Sequence, residues 1–260
     1  MCTSWSEHFV QIGDQAQDIL KHIQFKLHNE NGVAFTSYTP RPLSGDSLPI
    51  VVTYTDASRK EETMTGGYGG FIWVYGSRTV HYFFGAWTSF EIEQTDINEE
   101  ETVAANIAAT LAKPIIAEAV RQCGVADDGI SATSYLMQLG DSAVFFDHVF
   151  MSASASSHGL RYLYRARAAS DADGSRGVTL THHVERGLNQ PSDDLSNAKE
   201  TEFKIEIAKL LGPGLKLVKL EVPPSLASMV SLIDWKQSCS QNKLKQQQRH
   251  ERAPKQMKHK

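Results

Sequence analysis

Cysteine is scarce in this chain: Cys2, Cys123 and Cys239 are the only three among 260 residues. A small, odd and widely spaced set excludes a disulfide framework and a cysteine-based zinc site. It fits a reducing compartment, so the expected location is intracellular, in cytoplasm or nucleus. Long hydrophobic runs are also missing. No stretch approaches the roughly eighteen consecutive apolar residues of a membrane helix, so no membrane is expected as a partner. The first residues, Met1-Cys-Thr-Ser-Trp-Ser-Glu7, have no basic segment followed by an apolar one, which argues against a secretory signal. Internal repeats are absent. The stretch Gly66-Gly-Tyr-Gly-Gly70 is followed by neither Lys-Ser/Thr nor a helix, which excludes a phosphate-binding loop. Its glycines read most simply as backbone freedom where a strand begins.

What is present is ordinary in bulk and uneven in detail. With 41% hydrophobic and 22% charged residues, the chain has the composition of a globular protein able to bury one good core. The net charge of −4 is unevenly spread. From Lys236 to Lys260 eight Lys or Arg stand against Glu251 alone, so this stretch carries +7 and residues 1–235 carry −11. An acidic body with a basic tail suits a protein that holds divalent metal and touches nucleic acid. It equally suits a solvated, disordered tail with no partner.

The pattern along the chain predicts β-β-β-α-β-α-β-α. Pro49–Ser58 reads as a buried strand, with Ile50, Val51, Val52 and Tyr54 in an almost continuous apolar run that stops on Asp56. Residues 70–75 and 79–84 form a hairpin around a Gly-Ser-Arg turn. A long helix spans about 98–124, kinked or broken at Pro114. Strands follow at 132–139 and 178–184, separated by helices over 144–151 and near 160–169. Residues 192–211 read as a helix stopped by Gly212-Pro-Gly214, and 215–222 as a candidate added strand. Ahead of all this, residues 4–28 form an amphipathic helix joined by a Pro/Gly-containing linker. The expected fold class is α/β: a five-stranded mixed sheet, three antiparallel strands and then alternating helix and parallel strand, with helices on both faces.

Four carboxylates stand out on these elements. At 100° per residue Glu101 falls within the stripe of Ala104, Ala105, Ala108, Leu111, Ala112 and Ile115, on the side facing the sheet. A carboxylate there must be paired, protonated or bound to metal. Glu99 reads as a solvated first-turn acid, and Glu100 lies at the stripe's edge. Asp141 ends the fourth strand as Asp56 ends the first; on parallel neighbours about 4.8 Å apart, the two can share a metal. Asp193 opens a helix, where it is either an anion favoured by the dipole or a plain cap exchangeable with Ser192 or Asp194. Oxygen donors without a Cys-His cluster suit Mg²⁺, two ions being expected, with Mn²⁺ as a substitute. Arg161, Arg165 and Arg167, interleaved with Tyr162 and Tyr164, either hold nucleic-acid phosphates or form an exposed helix face.

These residues resemble the ribonuclease H domain of retroelement reverse transcriptases, particularly the gypsy-like and DIRS-like groups. The resemblance rests on Tyr54-Thr-Asp56-Ala-Ser58 with Gly67-Tyr-Gly-Gly70, on Ile97-Asn98-Glu-Glu-Glu101, on Gly140-Asp141-Ser142, and on His183-Val-Glu-Arg-Gly-Leu-Asn189-Gln-Pro-Ser-Asp193-Asp-Leu-Ser196. It covers residues 48–196 and implies an RNase H-like domain over 48–212. The flanks are then an N-terminal helix and linker (1–47), a C-terminal extension (213–235) and a basic, disordered tail (236–260). It implies a metal-dependent endonuclease that cuts the RNA strand of RNA–DNA hybrids, alongside a reverse-transcriptase polymerase domain. Asp56, Glu101, Asp141 and Asp193 would be the catalytic metal ligands, with Asp56 bridging two ions. Asn98 would touch the hybrid's minor groove, which displays the 2′-hydroxyls. Ser142, Arg161, Arg165, Arg186 and Asn189 are the other candidate substrate contacts. Glu185 stands where the family has Pro, and Ser192 where it has Ala. Glu185 and the changed loop motivate one alternative, the same fold as an inactive nucleic-acid-binding or structural domain; a DNA nuclease of the superfamily is another.

Overall fold

β1, Ile50–Lys60, is the strand on which the others assemble. It pairs antiparallel with β2 (Thr65–Val74), and β2 pairs antiparallel with β3 (Thr79–Ala86). Gly76, at φ +82°, makes the tight β2–β3 turn, in which Ser77 N–H donates to the Val74 carbonyl. On its other edge β1 pairs parallel with β4 (Ser134–Gly140), and β4 parallel with β5 (Gly177–His183). The molecule is a computed structural model that describes residues 49–123, 134–142, 159–160, 162–163, 166 and 177–256. The helix and linker expected before residue 48, the helix expected over 144–151, and Arg161, Arg165 and Arg167 lie outside the described residues.

The candidate strand near 215–222 is real: β6, Lys216–Lys219, pairs parallel with β3. The sheet therefore has six strands, in the order β5-β4-β1-β2-β3-β6, and not five. Three antiparallel strands followed by parallel ones, with helices on both faces, is the mixed α/β arrangement expected above.

Between β3 and β4 lie a short helix, α1 (Ser89–Gln94), and the long α2 (Ile97–Gln122). Both begin with a capping box: Thr88 with Glu91, and Asp96 with Glu99. Pro114 does not break α2. By length and composition α2 is apolar enough to cross a membrane. Its apolar surface lies on the sheet instead: Val103, Ala104, Ile107, Ala108 and Ala112 pack with Val51, Ile72 and Phe83.

The helix expected over 192–211 is two helices, α3 (Gln190–Ser196) and α4 (Glu200–Leu211). They separate at Ala198, which adopts a left-handed φ of +57°. The break lets Leu195 of α3 and Phe203 and Ile207 of α4 pack together against Phe71, Val80 and Tyr82, on the sheet face opposite α2. After β6 come a single turn, α5 (Pro224–Ala227), and α6 (Val230–Gln256). The helix α6 runs through the boundary set at residue 236, so the basic stretch is helical as far as Gln256 and continues an element that starts in the core. Met229, Leu232 and Ile233 are buried with the α2 cluster.

Candidate metal centre

Strand register brings the first two carboxylates together. The last parallel pair between β1 and β4 is Tyr54 with Leu139. Asp56 and Asp141 each lie two residues further on, at the same step of adjacent strands. The ladder ends there because β4 stops at Gly140 while β1 continues to Lys60 beside β2. Asp56 shares the side-chain parity of Val52 and Tyr54, and Glu101 reaches the same edge from the first turns of α2. Each of Asp56, Glu101 and Asp141 offers a carboxylate oxygen, and these atoms all lie within 4.8 Å of one another. They line an open pocket of about 620 Å³ together with Asn98, Ser142, Arg186, Asp193 and Asn197.

The electrostatics are those of a site short of positive charge. Burial raises the Asp56 carboxyl from 3.8 to about 7, and Asp141 and Asp193 push the same way; a hydrogen bond from Ser196 and the Arg186 charge oppose them. Burial, then Asp56, then Asp141 hold Glu101 well above the usual carboxylate range. Three oxygen ligands at mutual distances under 5 Å, with no sulfur or imidazole among them, fit a hard divalent cation of the Mg²⁺ or Mn²⁺ kind.

Of the two adjacent acids on α3, Asp193 faces the pocket and Asp194 does not. Asp194 is buried and accepts from Gln190 Nε2 at 3.0 Å. Asp193 has a quarter of its side chain exposed and stands 3.9 Å from the exposed guanidinium of Arg186, a contact worth little in water. Asn98 and Ser142 line the pocket.

Asn189 is not a pocket contact. It is fully buried, and its Nδ2 donates to the Thr55 carbonyl (3.1 Å) and to Asp141 Oδ1 (3.0 Å). Thr55 lies just past the end of the β1–β4 ladder, so the amide serves a carbonyl that the neighbouring strand no longer reaches. The assignment of Asn189 to substrate is thereby replaced by support of Asp141. Arg161 and Arg165 fall outside the described residues.

Two further expectations change. Glu99 is not solvated: it is 1% exposed, and its Oε2 accepts from Lys236 Nζ of α6 at 2.7 Å. Glu100 is fully buried against Arg59 and Thr95, each 3.0 Å from its Oε1. The three consecutive acids thus point to α6, to the end of β1 and to the metal centre. The glycines at 66–70 also do more than free the backbone, since all lie within β2. A Cβ on Gly69 would stand 2.3 Å from the Ser196 nitrogen, and one on Gly67 would stand 2.6 Å from the Ser196 carbonyl oxygen. They let α3 lie directly on the sheet, and Ser196 Oγ then donates to Asp56 Oδ2 at 2.6 Å. Ser196 is the site residue that sequence reasoning passed over; its signal was its place three residues after Asp193.

No family model matches the chain, and no curated protein matches it in sequence. Among solved structures it is similar to the N-terminal RNase H domain of a Mycobacterium tuberculosis protein, at 19% identity and a TM-score of 0.41, over 62% of this chain and 100% of that one. RNase H1 of Halobacterium salinarum is 17% identical with a TM-score of 0.34, over 59% and 98%. The protease–reverse transcriptase of prototype foamy virus is 10% identical with a TM-score of 0.37, over 63% of this chain and 22% of that one.

Proposed function

We propose that the chain is a divalent-metal-dependent endonuclease that cleaves the RNA strand of RNA–DNA hybrids, as part of or derived from a retroelement polyprotein. The observation that carries this is the convergence of Asp56, Glu101 and Asp141 within 4.8 Å at one edge of the sheet, in a pocket open to solvent. In this reading Asp56, Glu101 and Asp141 hold two cations, with Asp193 as the fourth, more exposed ligand. Bound Mg²⁺ or Mn²⁺ supplies an acidified water and neutralises charge on the leaving oxygen of a phosphodiester.

The chain's own residues do the rest. Asn189 and Ser196 hold two of the carboxylates in place. Asn98, at the pocket wall beside Glu101, offers an amide that can both donate to and accept from a 2′-hydroxyl. Arg186, exposed at the rim, meets backbone phosphate. The motifs shared with retroelement ribonucleases H support a place beside a reverse-transcriptase polymerase domain, and the scarcity of cysteine supports an intracellular one.

The test is cleavage of end-labelled RNA in a hybrid with Mg²⁺, with Mn²⁺ and with EDTA, beside Asp56→Asn and duplex RNA, duplex DNA and single-strand controls. Metal-dependent cutting of hybrid RNA alone, lost in the variant, is expected. Cutting of DNA would move the chain to another nuclease class. Intact hybrid binding without cutting would make it a binding domain.

A further inference from the structure

Ser196 connects the helix packing to the carboxylate chemistry. Its side chain is buried at the carboxyl end of α3, where a serine hydroxyl ordinarily bonds back to a carbonyl of the preceding turn. That carbonyl belongs to Asp193, 3.0 Å away. It is already served by the Asn197 backbone N–H at 3.1 Å and by Asn197 Nδ2 at 2.9 Å. A hydroxyl has one proton to give. With the carbonyl satisfied, that proton goes to the shorter and charge-assisted acceptor, Asp56 Oδ2 at 2.6 Å.

The serine is held where it is by contacts that do not involve the carboxylates. Its carbonyl accepts from Ser58 Oγ at 2.7 Å, and Gly67 and Gly69 leave no gap between its backbone and β2. The donor is therefore fixed before any ligand arrives. The Asp56 carboxylate thus accepts from the helix while offering an oxygen to the cluster with Glu101 and Asp141.

We propose that Ser196 is a positioning residue of the metal centre, orienting the Asp56 carboxylate so that the chain takes up a divalent cation without rearrangement. This rests on the metal-dependent reading above. Partners one shell out from a metal ligand typically account for 10–100-fold in affinity.

The same helix carries its own control. Ser192, one turn earlier, is fully buried, and its hydroxyl has no hydrogen-bond partner among the described residues. Ser196→Ala and Ser192→Ala each delete one buried oxygen from α3, but only the first touches a carboxylate.

The experiment is Mn²⁺ titration of the full chain without nucleic acid, by calorimetry or by electron paramagnetic resonance of free Mn²⁺, with thermal unfolding of each variant in EDTA. Ser196→Ala should weaken Mn²⁺ binding about 10–100-fold, while Ser192→Ala leaves it unchanged. Equal Mn²⁺ affinity for Ser196→Ala and the parent would overturn the proposal, as would an equal loss in both variants. Failure of the parent to bind Mn²⁺ at all would overturn the metal reading and this one together. If the parent binds Mn²⁺ but cuts no hybrid, only the assignment of activity fails, and the Ser196 comparison still decides the proposal.

Discussion

At the scale of single residues, crowding of carboxylates dictates how the empty site responds to pH. Asp56 titrates near 7 in the folded chain against 3.8 ordinarily, and Glu101 is displaced in the same direction. A raised acid pKa means that the folded state binds more protons than the unfolded one, so what these two groups contribute to metal-free stability is fullest below about pH 4. The Asp56 contribution is lost as pH rises through about 7, and Glu101 acts in the same sense. Asp56 alone can contribute up to about 4 kcal/mol to that fall. Denaturant unfolding in EDTA at pH 5 and pH 8 should therefore show the parent less stable at pH 8. Asp56→Asn should remove much of the difference and exceed the parent's stability at pH 8. Saturating Mn²⁺ should reverse the slope, since it binds the ionised carboxylates. A metal-free stability that rises with pH would contradict this account.

At the scale of elements, α2 is clasped by charge on its outer side as well as packed by apolar contacts on its inner one. The Glu99 carboxylate is almost wholly buried, and Lys236 of α6 is its only cationic partner among the described residues. Breaking one side of a buried pair costs more than replacing both, because the remaining charge stays desolvated. Lys236→Met should therefore lower stability by about 3 kcal/mol. The double variant Glu99→Gln with Lys236→Met should recover most of that loss in a double-mutant cycle. A Lys236→Met effect under about half a kcal/mol would make the pair a surface contact in energetic terms. Helical periodicity assigned Glu101 to the inner face correctly and Glu99 to solvent wrongly. The period specifies which side of a helix a residue is on, but not whether a distant segment covers that side.

For the whole molecule, the segment beyond β6 closes the core. Met229, Leu232 and Ile233 are each at most 2% exposed and are buried in the cluster that also holds α1, α2 and sheet residues. Side chains of this size stabilise by about 2 kcal/mol each when buried. Together they match a large share of the roughly 5–15 kcal/mol by which a domain is stable. A chain ended at residue 212 should lose cooperative thermal unfolding and bind a hydrophobic dye, whereas one ended after Ser240 should keep both properties of the parent. Cooperative unfolding of the 212 truncation near the parent's midpoint would show that the extension is dispensable.

Sequence alone determined the buried strand that carries Asp56, although β1 runs on to Lys60 and does not end on that carboxylate, the placement of Glu101 on the sheet side of its helix, and the position of Asp141 just past a second buried strand. These are local matters, set by residue type and by periods of 2 and 3.6, and a chain carries them wherever it is read. Tertiary structure decided which of two adjacent aspartates faces the pocket, that Asn189 braces Asp141, that Ser196 holds Asp56, and that Lys236 reaches Glu99. Each joins residues between 48 and 140 positions apart, or turns on how a helix is rotated against glycines in a strand. Such pairings follow from packing and register, which the order of residues implies only once the chain has closed on itself.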